Sequence, residues 1–253
     1  MNTIQHFYRY YLACILLPLL LVACSPKISR DSILRVGTTG DYPPLTSLDT
    51  LTGKFSGEDI NMALALAKHL GKKAVFVKTT WKTLSEDLLA NKFDLAMGGI
   101  SINAARAKTF NFSSPLLLDR KVAVFRLSDQ SRFRDFKSID QPDVRVIENI
   151  GGTNEAFARL HIRQANLQVI ADNQQVFKAL LNKTADVMFT DETEAKYQQT
   201  KHPELSWLRL DENISPPYAK AIMYAKKDTL LLQKVNRWLK VKPKVTEGTP
   251  YRK

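Results

Sequence analysis

Polar residues able to bind an anion or move a proton recur at five places along this 253-residue chain, each directly after a run that reads as a β-strand. They are Asp41-Tyr42, Trp81, the segment from Gly99 through Ser101 to Arg106, the segment from Asn149 to Glu155, and the segment from Thr190 to Glu194. In "ENIGGTNEAFARL" two glycines precede Thr153-Asn154-Glu155 and an apolar-periodic run, the pattern of a tight turn opening a helix. Backbone N–H groups at a helix start lack intrahelical partners and attract anions. Gly152 permits close approach of the backbone, and the Thr153 hydroxyl and Asn154 amide add polar groups. Read structurally, the same stretch supplies an N-cap at Thr153. Asn149 stands two residues ahead of the glycines, where a cap does not need it. Arg106, in "SINAARAK", carries a planar guanidinium able to give one carboxylate two parallel hydrogen bonds, although a surface helix uses arginine too. Tyr42 and Trp81 offer walls for a ring-shaped ligand, with core packing as the plain alternative for Trp81. Asp191 and Glu194, in "TDETEA", read by spacing as a capping box: Asp191 as N-cap and Glu194 at the third helical position.

Other chemistries lose their basis. No G-x-G-x-x-G follows a strand, and there is no Walker A lysine loop or G-x-S-x-G elbow, so nucleotide cofactors and serine hydrolysis are disfavoured. The four histidines are scattered and the two cysteines, Cys14 and Cys24, form no metal-ligand spacing. No metal and no cofactor are expected.

The elements that must position these residues alternate. "ILRVGTT", "KAVFVKT" and "FDLAMGGI" read as strands separated by the helices "EDINMALALAKHL" and "KTLSEDLLANK". The rhythm resumes with "VRVIEN", "LQVIA" and "DVMFT" as strands, and "NEAFARLHIRQ", "NQQVFKALLNK" and "DETEAKYQQT" as helices. Such alternation predicts an α/β protein with parallel sheets flanked by helices, its ligands at the carboxyl ends of the strands. Two blocks are expected: a first lobe of residues 33–125 completed by 219–253, where "YAKAIMYAK" returns the chain, and a second lobe of 126–218. Two crossings between them place a cleft at their junction.

The N-terminus reads as an export signal. "YLACILLPLLLVA", residues 11–23, is an apolar run too short to span a bilayer comfortably, and residues 1–23 are expected to be a signal peptide before a linker of 24–32. "LVAC" resembles a bacterial lipobox and implies a lipid on Cys24, holding a periplasmic protein to a membrane; an ordinary signal peptide cut nearby is the alternative. Of the net charge of +12, residues 226–253 carry +7, with nine Lys or Arg against two acids. The remainder is nearly balanced and has no basic stripe interleaved with aromatics, so a nucleic-acid partner is not expected. Nothing in the sequence fixes the oligomeric state, and a homo-oligomer stays open.

Taken in order, "RVGTTGDYPPL", "FSGEDINMALALAKHLG", "KFDLAMGGIS" and "GGTNEAFA" resemble the extracytoplasmic solute-binding proteins of the polar amino-acid type. "TTGDY", "GISIN" followed by Arg106, "N-x-GGTNE" and "TDETEA" are most similar to the periplasmic cyclohexadienyl dehydratases within that family. The resemblance implies a two-lobed periplasmic-binding-protein-like fold. It also implies cofactor-free conversion of prephenate to phenylpyruvate, and of L-arogenate to phenylalanine, with water and carbon dioxide leaving together. By the same resemblance Glu194 is the general acid, with Asn149 and Asn154 beside it in the catalytic set. Arg106 clamps the substrate carboxylate, and Asp41, Tyr42, Trp81, Gly99, Ser101, Lys121, Gly152, Thr153 and Asp191 complete the binding site. In amino-acid binders the acid matching Asp191 holds the ligand's ammonium, so a non-catalytic binding lipoprotein feeding an ABC transporter is the rival reading. A detached sensor lobe is a third, and no transmembrane segment follows to support it. Two features depart from the dehydratases: Leu45 stands where they carry an aromatic, and "VKPKVTEGTPYRK" is a Pro-broken, basic tail where they continue into a further helix.

Overall fold

The computed structural model describes residues 32–241. The expected signal peptide, Cys24, nearly all of the 24–32 linker and the tail beyond residue 241 lie outside the described residues.

The described residues open with β1 (Ile33–Thr38) and a small antiparallel sheet of β2 (Asp41–Tyr42), β3 (Thr46–Asp49) and β4 (Lys54–Ser56). Next come α1 (Glu58–His69), β5 (Lys73–Lys78), α2 (Leu84–Leu89), β6 (Leu95–Ala96), α3 (Ala104–Thr109), β7 (Phe110–Phe112) and β8 (Leu117–Asp119). The middle runs β9 (Lys121–Arg126), α4 (Phe136–Ile139), β10 (Arg145–Asn149), α5 (Thr153–His161), β11 (Asn166–Ile170) and α6 (Asn173–Leu181). It continues through β12 (Val187–Asp191), α7 (Glu192–Lys201) and β13 (Leu205–Arg209), and the described residues end with β14 (Tyr218–Lys220), β15 (Met223–Ala225) and α8 (Thr229–Leu239).

Two five-stranded sheets carry the fold, in the orders β5-β1-β6-β15-β7 and β11-β10-β12-β9-β13. Each has the expected parallel trio, but both are mixed rather than parallel. In the first, β15 runs antiparallel to β6 and β7; in the second, β9 runs antiparallel to β12 and β13. These are the strands that carry the chain between the sheets, and a strand arriving from the other half enters against the local direction. Sheet membership changes at Arg120, ahead of the expected 125/126 boundary, because all of β9 pairs with β12 and β13. The expected strand "FDLAMGGI" pairs only at Leu95–Ala96. Gly98 and Gly99 leave the ladder with φ of 122° and 75°, and both N–H groups are taken by the Asp59 carboxylate at 2.8 Å. "YAKAIMYAK" likewise splits: β14 pairs with β8, and β15 joins the first sheet.

The cores follow from the strand pattern. In β9, Val122 and Val124 pack on one face with Val176, Leu180 and Met188, while Ala123 and Phe125 pack on the other with Phe133, Val146 and Phe189. A strand buried on both faces reads as a continuous apolar run, as "VAVF" does. On the first sheet α1 and α8 share one cluster, in which Val235 and Trp238 of α8 reach Leu34, Leu66 and Tyr224. The C-terminal segment therefore contributes a packed helix before the departure of the basic tail. Leu45 is fully buried against Tyr42 and Leu117 beside Trp81.

Candidate active site

Asp191 is the hub of a buried polar cluster where the two sheets face each other. The β9–β12 register sets Lys121 directly opposite Asp191, and the Lys121 ammonium donates to its carboxylate. The same ammonium donates to Asn154 Oδ1 and, at 3.0 Å, to Thr153 Oγ1. From the first sheet's side, Lys220, Tyr42 and Tyr218 all donate to Asp191. Lys220 also donates to the Gly99 carbonyl at 3.0 Å and to Ser101, whose backbone bridges to its own. Its ammonium lies 4.9 Å from the Tyr42 ring centroid, within cation–π range. Burial alone would raise the Asp191 carboxyl, but the two ammonium groups outweigh it and hold the carboxyl well below the usual range. Asp191 is thus already neutralised by two cations.

Glu194 occupies the opposite electrostatic state three residues on. The capping-box expectation fails: Asp191 is the N-cap residue of α7, yet its side chain makes no cap hydrogen bond because it faces the lysines. Glu194 is 0% exposed; its Oε2 accepts from the Thr190 hydroxyl and, among the described residues, its Oε1 has no hydrogen-bond partner. Burial pushes its carboxyl up to about 8, with Asp191 and Asp41 adding and Thr190 and Lys121 opposing. At neutral pH it is a protonated acid.

The "GGTNE" turn does less anion holding than its pattern suggests. The helix starts at Thr153 with Gly152 as its N-cap, so Thr153 is not the cap. The Gly151 N–H is taken by the Glu155 carboxylate of the same helix at 2.6 Å. What needs glycine is proximity: Gly151 has φ of +85°, and a Cβ there would lie 2.5 Å from Lys82 Cα. Gly152 packs against Trp81 and the Asn149 amide. Asn149 ends β10 and Asn154 opens α5; both are buried.

The remaining predicted residues lie on the first sheet's loops. The Trp81 indole donates to Asp41 at 3.0 Å, and its ring meets Tyr42 edge-on at 5.9 Å. Asn173, from the second half, donates to the Asp41 carbonyl at 2.9 Å. Gly99, with φ of +75°, leaves room for the Tyr42 ring, which a Cβ would meet at 2.6 Å. Arg106 is half-buried near the start of α3, where Asn103 is the cap, and donates to the Ser101 carbonyl at 3.0 Å. Burial lowers its pKa while Asp191 opposes the shift. A cavity of about 410 Å³ is lined by Asp41, Trp81 and Asn149, and another of about 230 Å³ by Asp41 and Glu194. Lys220, Tyr218 and Thr190 join this cluster without any motif that marks them. The available signal was a lone lysine within the apolar "YAKAIMYA", a run buried on both sides. Among the described residues no group of three or more His, Cys, Asp or Glu side chains could hold a metal, and no helix is long and apolar enough to cross a membrane.

The sequence profile of the bacterial extracellular solute-binding proteins, family 3, matches residues 34–244. A cyclohexadienyl dehydratase of Pseudomonas aeruginosa is 39% identical over 215 residues, covering 85% of this chain and 79% of that protein. The lysine/arginine/ornithine-binding periplasmic protein of Escherichia coli is 29% identical over 195 residues, 76% of this chain and 73% of that protein. Among solved structures, an ancestral amino acid-binding protein described as a precursor of cyclohexadienyl dehydratase aligns with a TM-score of 0.77 and 32% identity, over 84% of this chain and 90% of that one. A mutant of arginine-bound ArgBP from T. maritima aligns with a TM-score of 0.75 and 25% identity, over 84% and 97%. The architecture is the two-lobed one of periplasmic amino-acid-binding proteins, with the buried polar cluster at the junction of the lobes.

Proposed function

The chain belongs to the bacterial extracellular solute-binding proteins, family 3, and from that premise we propose that it is a cyclohexadienyl dehydratase. Its substrates are prephenate, converted to phenylpyruvate, and L-arogenate, converted to phenylalanine. The observation that carries this reading is Glu194: a fully buried carboxyl, neutral at physiological pH, with one oxygen that has no hydrogen-bond partner among the described residues. A protein that only binds amino acids gains nothing from burying such a group beside its ligand.

The reaction needs one proton and a dry site. The bond from the ring to its carboxylate breaks and releases carbon dioxide, and its electron pair moves into the ring. The bond from the ring to the hydroxyl breaks as Glu194 Oε1 delivers its proton, so water departs and the ring becomes aromatic. Glu194 then regains a proton from solvent. Arg106 holds the side-chain carboxylate, Trp81 and Tyr42 flank the ring, and Gly152, Thr153, Asn149 and Asn154 contact the substrate from the second lobe. Closure of the lobes keeps water out.

The charge arrangement separates this reading from an amino-acid binder. In a binder an acid at the Asp191 position is available to an ammonium. Here Lys121 and Lys220 already occupy that carboxylate, which favours an anionic substrate. The protein is exported to the periplasm; we place a signal peptide over residues 1–23 and a lipid anchor on Cys24, supported by "LVAC". Incubation of the purified protein with prephenate, followed in the ultraviolet for phenylpyruvate, tests the proposal. Absence of product together with tight calorimetric binding of an L-amino acid favours the binding lipoprotein instead.

A further inference from the structure

Behind Glu194 lies a directed chain of hydrogen bonds. Lys121 Nζ donates to Asn154 Oδ1, Asn154 Nδ2 donates to Thr190 Oγ1 at 3.4 Å, and Thr190 Oγ1 donates to Glu194 Oε2. The direction is set at its head, because an ammonium only donates and Asn154 must then turn its NH₂ to the other side. Thr190 is 0% exposed, and among the described residues its hydroxyl has no second acceptor. Its single hydrogen is therefore committed to Oε2. A neutral Glu194 must then carry its own hydrogen on Oε1, the oxygen that is buried without a partner.

We propose that Thr190 is the positioning residue of the acid, loading the transferable proton onto Oε1 and stabilising Oε2 when that proton leaves. The proposal rests on the dehydratase reading of Glu194. As the ring C–O bond breaks, the proton passes from Oε1 to the departing oxygen, and the electron pair of the former O–H bond stays on the carboxylate. The Thr190 hydroxyl then faces an anion instead of a neutral carbonyl. A hydrogen bond that strengthens along the reaction lowers the barrier, whereas one of constant strength does not.

The other groups that act on Glu194 are Asp191, Asp41 and Lys121, with Glu148 and Tyr42 near enough to feel its charge and His202 lining the same cavity. None of them hydrogen-bonds to the Thr190 hydroxyl, but Asn154 does and loses that acceptor in a valine variant, so a serine variant that keeps the acceptor is needed beside it. Thr190 donation favours the charged carboxylate, so its removal raises the pKa.

The test compares wild type, Thr190→Val and Thr190→Ser in prephenate turnover across pH, with thermal melts as a control for folding. In Thr190→Val kcat should fall about tenfold or more with KM little changed, and the basic limb of the kcat profile should move up by about one pH unit. Thr190→Ser, which keeps the hydroxyl, should restore both. A folded Thr190→Val with wild-type kcat and an unmoved limb overturns the proposal. A purely structural threonine lowers the melting temperature but leaves the limb in place. If Thr190→Val does not fold, Thr190→Ala takes its place in the same comparison. Infrared titration reads the same quantity without substrate: the protonated-carboxyl band lost in Glu194→Gln should titrate at higher pH in the valine variant than in wild type. Wild type inert toward prephenate removes the dehydratase reading, while the infrared band still decides whether Thr190 tunes Glu194.

Discussion

Replacing Glu194 with glutamine interrogates the ionisation of the buried acid through stability, with no substrate present. Folding moves this carboxyl from an ordinary 4.5 to about 8, chiefly by burial. Between those values the native chain binds more protons than the unfolded one, so its stability is intact below pH 4.5 and is lost as pH rises through about 8. Each pH unit inside that window is worth about 1.4 kcal/mol. The resulting cost is under about 1 kcal/mol at pH 5, about 3 kcal/mol at pH 7 and about 4 to 5 kcal/mol at pH 8.5. Glutamine keeps the shape, still accepts from Thr190, is neutral at every pH and so carries no such cost. Urea unfolding at the three pH values should show Glu194→Gln gaining on wild type by about these amounts. Fixed packing differences shift all three points equally and leave the slope untouched. A difference flat with pH, or one that favours wild type more as pH rises, refutes the neutral-acid assignment. A capping-box role predicts the flat pattern, because a capping carboxylate is already ionised at pH 5, with a loss in the variant of about 1 kcal/mol or less.

Three further outcomes are expected. Arg106→Ala should weaken prephenate binding by about 2 to 4 kcal/mol, the worth of a bidentate charge-assisted contact in a closed cleft. Unchanged affinity by calorimetry assigns Arg106 to the surface. Gly151→Ala places a Cβ against the Lys82 backbone at a left-handed φ, so it should keep the lobes apart and cut kcat/KM about tenfold or more while the second lobe stays folded; wild-type kinetics would show that this approach is not needed for turnover. Cys24→Ser should release the protein from the membrane fraction, and identical fractionation of the two forms excludes the anchor.

The alternation of strands and helices was legible because both lobes obey the simplest rule, an apolar strand followed by an amphipathic helix. "ILRVGTT" and "EDINMALALAKHL" could scarcely be read otherwise. The sites of failure are local and physical. "FDLAMGGI" looks like one strand, but the Asp59 carboxylate, 39 residues away in sequence from Gly98, draws two amides out of the ladder. No window of residues contains that contact. "TDETEA" has the spacing of a capping box, yet cross-strand register puts Lys121 opposite Asp191 and turns its carboxylate away from the helix. Register, not spacing, decided the geometry of the pair. "GGTNE" has the pattern of an anion cradle, and Glu155, two residues beyond Thr153, occupies part of it. Lys220 escaped notice since a lysine in a short apolar strand normally lies at a solvated edge. Its burial follows from the chain's return to the first lobe, a tertiary event that local pattern does not record.

In the proposed mechanism one neutral carboxyl, Glu194, drives the loss of water. Its most direct test is the rate of phenylpyruvate formation from prephenate at pH 7 in wild type and in Glu194→Gln, with binding of the product analogue phenylacetate checked in both by calorimetry. Wild type should turn over, the variant should bind comparably, and its turnover should fall by roughly a hundredfold or more because an amide cannot deliver the proton. Equal turnover in the two proteins, or a wild type that binds and yields no phenylpyruvate, contradicts it.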